Sequence, residues 1–165
     1  MSDKTEFYQS LSAQVKALIS GEADPIANMA NISALLFDGL AHVNWVGFYR
    51  VLDNELVLGP FQGKVACIRI PMGVGVCGTA AQTMTTQRIA DVHQFEGHIA
   101  CDAASNAEIV IPVQLKGDTI AVLDIDSTQF ERFDQDDQKG LEKIVQIFEQ
   151  NLTEHEQMLE KSQLK

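Results

Sequence analysis

The sequence predicts an α+β fold in which helices near both ends of the chain flank a mainly antiparallel sheet of about six strands. Apolar residues recur with a helical period from Phe7 to Leu40 and again from Leu141 to Leu152. Between them, short β-branched and aromatic runs alternate with turn residues, which is typical of strands joined as hairpins. A chain of 165 residues suits one domain, which we expect to span 1–165 with its core at about 24–152.

Apolar stripes predict three long helices. The stripes are Phe7, Leu11, Val15 and Leu18 in the first helix, Ile26, Met29, Ile32, Phe37 and Leu40 in the second, and Leu141, Ile144, Val145, Phe148 and Leu152 in the last. Asp24 followed by Pro25 is typical of an N-cap and a first helical residue. Asp134 is expected to cap the last helix, whose polar end, 154–165, is expected to fray.

Six short segments predict the strands, and they cover 44–51, 55–58, 66–70, 88–90, 108–113 and 119–126. Turn residues at 53–54 and 116–118 join the first two and the last two segments into hairpins. Small residues from Cys77 to Met84 predict a short helix inserted after the third strand. Residues 91–107 form a long irregular loop, and loops of this length in compact domains are often functional.

Charge and composition exclude several classes of protein. A net charge of −11 disfavours nucleic acid and anionic membranes, which both attract Lys and Arg. The polar N-terminus does not resemble a signal peptide, and no apolar stretch approaches the roughly 20 residues of a membrane span. We therefore expect a cytoplasmic protein. Its three cysteines are then either small buried residues or working thiols, and not a disulfide framework.

Each cysteine has a structural and a chemical interpretation. Cys67 lies in a predicted strand, where a buried cysteine is common. Cys77 lies where the short helix begins, and backbone N–H groups and the helix dipole favour a thiolate there; close packing beside neighbouring glycines is the alternative. Cys101 lies in the long loop, where His98 favours its ionisation and Asp102 opposes it. Taken together, they suggest a nucleophile and a resolving cysteine.

Three acids are candidates for a second cluster. Asp124 and Asp126 alternate with apolar residues, so both point to one face of a strand. The hairpin can bring Glu108 to the same side of the sheet. Three converging carboxylates would attract an ammonium group and raise one another's pKa, which keeps one acid protonated near neutrality. A solvated strand end is the alternative interpretation.

Other motifs carry less chemistry. Trp45 and Tyr49 share a face of the first strand and could hold a small apolar group, although core packing explains them equally well. No spacing of His and Cys predicts a metal site. Residues 73–78 match the glycine pattern of dinucleotide-binding loops, but regular βαβ alternation does not follow. These glycines indicate a tight turn whose helix N-terminus could bind a substrate carboxylate.

Six segments together resemble the free methionine-(R)-sulfoxide reductases, which are single GAF-domain enzymes. The segments are residues 45–49, 59–63, 75–78, 98–102, 105–110 and 123–127. The resemblance spans nearly the whole chain, and its specific part is the three cysteines with their neighbours, which a generic GAF domain lacks. It implies a GAF fold with a six-stranded antiparallel sheet.

The resemblance also implies a role for each cysteine. Cys101 is the expected nucleophile, Cys67 the resolving cysteine, and Cys77 an auxiliary or secondary resolving cysteine. Helix position alone favours Cys77. We follow the resemblance, because a mobile loop explains how Cys101 could meet first the substrate and then Cys67.

The implied substrate site contains Glu108, Asp124 and Asp126, with Trp45 and Tyr49 around the substrate methyl group. The implied reaction reduces free methionine (R)-sulfoxide, with no bound cofactor and no metal. It passes through a sulfenic acid and a disulfide that thioredoxin reduces, with NADPH as the indirect electron source. A homodimer is a further expectation. The alternatives are a GAF module that binds a metabolite without catalysis, and a redox sensor that forms the same disulfide without turnover.

Overall fold

The computed structural model describes residues 3–98 and 104–163 of the chain. In these two ranges the helices are α1 (Asp3–Ile19), α2 (Pro25–Gly39), α3 (Gly75–Thr83) and α4 (Gln135–Gln163). The strands are β1 (Val43–Leu52), β2 (Glu55–Gly63), β3 (Arg69–Pro71), β4 (Gln87–Ile89), β5 (Ala107–Leu115) and β6 (Asp118–Ser127). A single 3-10 turn covers Val92–Gln94.

The strands form one sheet in the order β3-β2-β1-β6-β5-β4, and all neighbours are antiparallel. This confirms the predicted α+β class and the six-stranded antiparallel sheet. The β1–β2 and β5–β6 pairs are the two expected hairpins. Because β1 pairs with β6, the two hairpins lie side by side at the centre of the sheet.

The two faces of the sheet bury different sets of side chains. One face packs against α1, α2 and α4 through residues such as Phe48, Ile109 and Ile125, which are almost completely buried. The opposite face packs against α3 through a smaller cluster that includes Trp45, Tyr49 and Cys77. The second cluster lies where the candidate site residues converge.

The buried face of α1 differs from the predicted stripe. Leu11 and Val15 are buried as expected, but Phe7 and Leu18 are 40% and 42% exposed, and Tyr8 and Ile19 are buried in their place. Contact with α4 determines which face of α1 is buried, because the Tyr8 ring lies against Gly140 of α4 and its hydroxyl donates to Asp137 at 2.7 Å.

The predicted stripe of α2 is wrong at two positions. Met29, Ile32 and Leu40 are buried, whereas Ile26 and Phe37 are exposed. Leu36, which the stripe omits, is completely buried.

The segment that carries Cys67 is not a strand. β2 continues to Gly63, and β3 begins only at Arg69, so Cys67 lies in the connecting loop and is half-buried. The predicted strand over 66–70 is therefore wrong in its first half, and the interpretation of Cys67 as a buried strand cysteine falls with it. Gly63 has φ +132°, a conformation that favours glycine, and it turns the chain out of β2.

The start of α4 is fixed by two reciprocal hydrogen bonds. The Asp137 N–H donates to Asp134 Oδ1 at 3.0 Å, and the Asp134 N–H donates to Asp137 Oδ2 at 2.9 Å. This is the predicted cap at Asp134, in the reciprocal form of a capping box. Partial burial of Asp134 opposes its ionisation, but hydrogen bonds from Lys4 and from the Asp137 N–H lower its pKa to about 2. α4 remains helical to Gln163, beyond the point where fraying was expected.

Within the described ranges, none of the helices combines the length and the apolar character that crossing a membrane requires.

Candidate active site

Three carboxyl groups converge on the face of the sheet that packs against α3. The register of β5 and β6 places Glu108 opposite Asp126 and Val110 opposite Asp124. Glu108 and Asp124 are 7% and 5% exposed, and Asp126 is half-buried. The convergence expected from the strand alternation is observed, and the solvated strand end is not.

Burial and mutual repulsion govern the ionisation of this cluster. Burial, followed by the negative charges of Asp124 and Asp126, raises the pKa of Glu108 well above its ordinary value. Burial also raises the pKa of Asp124, against the hydrogen bonds that favour its charged form. Because like charges directly across two strands repel, the cluster holds a proton at pH values where an exposed carboxyl group is ionised. Glu108 can thus act as an acid.

Two stacked aromatic rings form one wall beside the acids. The centroid of the Trp45 ring lies 5.9 Å from the centroid of the Tyr49 ring and 5.2 Å from that of the Phe61 ring, at interplanar angles of 24° and 15°. Gly47 makes this stack possible, because a Cβ there would lie 2.3 Å from the Phe61 Cβ. Trp45 and Tyr49 therefore share a face, as the sequence predicts, and offer apolar surface to the space between them and the acids.

The polar ends of these rings hold the loop that carries Cys67. Trp45 Nε1 donates to the Lys64 carbonyl at 3.1 Å, and the Tyr49 hydroxyl donates to the Cys67 carbonyl at 2.8 Å. Burial raises the pKa of Tyr49, so its hydroxyl stays protonated and remains a donor. Sequence patterning does not reveal this anchoring role, because the bonded partners lie on the loop backbone.

The cysteines occupy unequal environments. Cys67 is disulfide-bonded, whereas Cys77 is a free thiol, 5% exposed. Burial, and then the charges of Asp124 and Glu108, raise the pKa of Cys77 well above its ordinary value. The thiolate expected from the start of α3 is therefore wrong, because desolvation and three acids outweigh the helix dipole. Cys101 lies outside the described residues.

These groups line one cavity of about 550 Å³, counting its open mouth. Its lining consists of Trp45, Tyr49, Val65, Ala66, Ile70, Val74, Gly75, Val76, Cys77, His98, Ser105, Glu108, Asp124 and Asp126. His98 Nε2 is 4.0 Å from Glu108 Oε1. Burial and the nearby His93 lower the pKa of His98, so near neutrality it acts mainly as a hydrogen-bonding group.

Sequence reasoning missed several of these lining residues. Ser105 is the clearest case: it is buried, and it accepts a hydrogen bond from Asn44 Nδ2 at 3.1 Å. Its only sequence signal was its place at the start of a segment shared with the reductases. The apolar residues on either side of Gly75 could not be predicted to line the cavity, because a glycine turn in a sequence does not indicate which part of the fold packs against it.

Comparison with known proteins identifies the family of this chain. The GAF domain family model matches residues 28–153. The chain is also 56% identical over 150 residues to the free methionine-R-sulfoxide reductase of Escherichia coli (strain K12), with 91% of each chain covered. The chain belongs to the free methionine-R-sulfoxide reductases.

Solved structures of free methionine-R-sulfoxide reductases share its fold. The Staphylococcus aureus reductase in complex with its substrate has a TM-score of 0.85 at 53% identity, covering 88% of this chain and 95% of that one. The Neisseria meningitidis reductase, also in complex with its substrate, has a TM-score of 0.90 at 40% identity, covering 96% and 95%. As a member of this reductase family the chain is an enzyme, and its aromatic and acidic cavity is the candidate active site.

Proposed function

We propose that this chain reduces free methionine (R)-sulfoxide to methionine by cysteine thiol chemistry. Membership of the reductase family supports the activity. The observation that carries the assignment of the site is the single cavity in which Glu108, Asp124 and Asp126 face Trp45 and Tyr49, beside the loop that bears Cys67.

The cavity suits a free amino acid better than a residue in a peptide. Three carboxyl groups on one side would bind the substrate ammonium group, which a peptide-bound residue lacks. The aromatic wall of Trp45 and Tyr49 would hold the methyl group at the other side. Gly75 and Val76 begin α3 and line the same cavity, which supports the proposal that their N–H groups bind the substrate carboxylate.

The proposed chemistry begins with attack of the Cys101 thiolate on the sulfoxide sulfur. The sulfoxide oxygen takes a proton from a carboxylic acid, for which Glu108 and Asp126 are the candidates. Glu108 is supported by its buried position, which raises its pKa. Methionine leaves with two more electrons than the sulfoxide, and Cys101 becomes a sulfenic acid. Cys67 then displaces water from that sulfenic acid to form a disulfide.

Two observations support Cys67 as the resolving cysteine. It lies in a loop at the rim of the cavity and not within a strand, and it is disulfide-bonded. Thioredoxin is the proposed reductant, because its dithiol can exchange with such a disulfide and return both cysteines to thiols. Cys77 is buried below the acids with a raised pKa, so its role is auxiliary or that of a secondary resolving cysteine.

A coupled assay tests the proposal. Purified protein is mixed with thioredoxin, its reductase and NADPH, and each sulfoxide epimer is added in turn. We expect NADPH oxidation with the free (R) epimer only, abolished by Cys101→Ser and retained in part by Cys77→Ser. A protein that binds the sulfoxide without turnover is instead a metabolite-binding module. One that forms the disulfide with peroxide but turns over neither epimer is instead a redox sensor.

Two further expectations belong with this proposal. We propose a cytoplasmic location, since reduction by thioredoxin requires a reducing compartment. A homodimer also stays a prediction, which sedimentation at several protein concentrations tests.

A further inference from the structure

Three side chains that can ligate a metal meet at the floor of the cavity. Cys77 from α3, Glu108 from β5 and Asp124 from β6 each offer one ligand atom, and the three atoms lie within 4.8 Å of one another. The Cys77 Sγ is 4.0 Å from Glu108 Oε2. All three residues are buried, so the arrangement differs from an exposed acidic patch. Their separation in sequence conceals the cluster from any search by spacing.

A second observation points to a ligand at this place. Asp124 Oδ1 is buried and makes no hydrogen bond to the part of the chain that the structure describes. Asp124 itself is 95% buried, at 5% exposure, and lines the cavity. Buried carboxylate oxygens are nearly always paired, so an unpaired one on a residue that lines a cavity calls for a cation or a donor beside it.

We propose that Cys77, Glu108 and Asp124 form a binding site for a thiophilic divalent cation such as Zn²⁺. Zinc accepts sulfur at about 2.3 Å and carboxylate oxygen at about 2.0–2.2 Å, often with three protein ligands and one open position. For a zinc ion to reach those bond lengths from a position among the three ligand atoms, each atom would have to move by about 1 Å or less. Mg²⁺ and Ca²⁺ prefer oxygen ligands, so the sulfur selects against them.

His98 is the nearest candidate for the fourth position. Its Nε2 lies 4.0 Å from Glu108 Oε1. A neutral imidazole is the form of histidine that binds metal. Water fills the position equally well if the imidazole does not turn toward the ion.

Binding must release protons. The Cys77 thiol and any protonated carboxyl group of Glu108 or Asp124 lose their protons to solvent as the bonds to the metal form, so that one thiolate and two carboxylates surround the ion. Because all three ligands must be deprotonated to bind the ion, affinity should increase as the pH rises.

The site has a consequence that rests on the proposed function. Glu108 and Asp124 are also the acids assigned to the substrate ammonium group, so cation and substrate should exclude each other. A metal ion at this position would hold the reductase inactive until the ion is removed. Metal binding is measured by titration without turnover, so the absence of binding can be distinguished from the absence of the proposed activity.

Co²⁺ is the probe, because cobalt bound to a thiolate gives a charge-transfer absorption that free cobalt lacks. The full-length oxidised protein is titrated, since in the proposed disulfide form Cys77 is the remaining thiol. We expect one Co²⁺ per chain, displaced by Zn²⁺ and by methionine (R)-sulfoxide but not by Mg²⁺. Cys77→Ser should abolish the absorption, and Asp124→Asn should weaken binding by at least about 10-fold.

Asp126→Asn is the matched control, since it removes an acid from the same cavity but not from the ligand triangle. It should weaken Co²⁺ binding by less than Asp124→Asn does. The proposal is overturned if the absorption survives Cys77→Ser, or if both amide variants weaken binding equally. It is also overturned if folded wild-type protein, verified by circular dichroism, gives no thiolate absorption. Displacement by Mg²⁺ would likewise contradict a sulfur-selective site.

Discussion

Removal of one hydroxyl group, in Tyr49→Phe, should separate the two halves of the proposed reaction. The Tyr49 hydroxyl donates to the Cys67 carbonyl at 2.8 Å and ties the loop after β2 to the centre of the sheet. Phenylalanine keeps the ring that stacks on Trp45, so the aromatic wall of the cavity is preserved. The variant therefore tests the placement of Cys67 and not the binding of the substrate methyl group.

The size of the effect follows from this single bond. A neutral hydrogen bond contributes about 0.5–1.5 kcal/mol net, and about 1 kcal/mol corresponds to roughly a fivefold change in a population or rate. If the bond holds Cys67 where it can reach the sulfenic acid, its loss should slow disulfide formation about fivefold. The attack of Cys101 on the sulfoxide should change by less than twofold, because the carboxyl groups are untouched.

A single-turnover experiment measures both steps. Reduced protein is mixed with one equivalent of methionine (R)-sulfoxide and quenched at intervals with a sulfenic-acid trap and a thiol-blocking reagent. Methionine release reports the first step, and the ratio of trapped sulfenic acid to disulfide reports the second. Equal rates of disulfide formation in wild type and Tyr49→Phe would refute the anchoring role.

Tyr8→Phe supplies the matched control for this experiment. Tyr8 donates to Asp137 at 2.7 Å on the opposite side of the sheet, packed among α1 and α4. Loss of that hydroxyl should lower the free energy of unfolding by about 1.5–3 kcal/mol, because its acceptor is a charged carboxylate. It should leave both kinetic steps unchanged, and a slower disulfide step in Tyr8→Phe would indicate a global effect on stability instead.

Three further predictions concern stability and binding. Burial raises the pKa of Glu108, so the folded chain holds that proton to higher pH than the unfolded chain does. The free energy of unfolding should therefore fall as the pH rises from the pKa of Glu108 in the unfolded chain to its higher pKa in the folded chain. In Glu108→Gln, the free energy of unfolding, measured with urea at several pH values, should fall less steeply with pH. An unchanged dependence on pH would contradict the assignment of this effect to Glu108. Gly140→Ala should cost about 1–3 kcal/mol in the same assay, because its Cβ would lie 2.1 Å from Tyr8 Cγ. Gly39→Ala, whose Cβ meets only an ordinary 3.5 Å contact, should be neutral or stabilising by about 0.4–1 kcal/mol, and equal losses would refute the packing argument. Asp126→Asn should lower kcat/KM about 10- to 100-fold, the range of a charged hydrogen bond, with an unchanged thermal midpoint.

The features that local rules determine could be predicted from the sequence. The alternation of Asp124 and Asp126 with apolar residues fixes which way both acids point, because side chains on a strand alternate strictly. The turn after Leu115 alone would place Glu108 opposite Ile125, and an irregularity between Val113 and Gln114, which the sequence does not reveal, shifts the register by one residue so that Glu108 lies opposite Asp126. The shared face of Trp45 and Tyr49 follows from the same rule.

The features that depend on distant partners could not be predicted. The environment of Cys77 is set by carboxyl groups on β5 and β6, which the local sequence around α3 does not contain. The buried face of α1 is set by Gly140, far along the chain, which accepts the Tyr8 ring. Cys67 was misplaced because β2 continues farther than its apolar pattern suggests, and the aromatic stack on Phe61 explains that extension.

The opposite face of the sheet explains how a costly cluster of acids can be kept in place. Ile109 and Ile125 neighbour the acids in sequence and are completely buried against the helices. A shift of β5 or β6 by one residue would put these isoleucines in the cavity and the carboxyl groups in the apolar core. The apolar core therefore enforces the register that holds Glu108 opposite Asp126, despite their repulsion. On this reasoning, Ile109→Ala and Ile125→Ala should weaken catalysis through the geometry of the acids, and not only through the 2–5 kcal/mol or so that such cavities cost in stability.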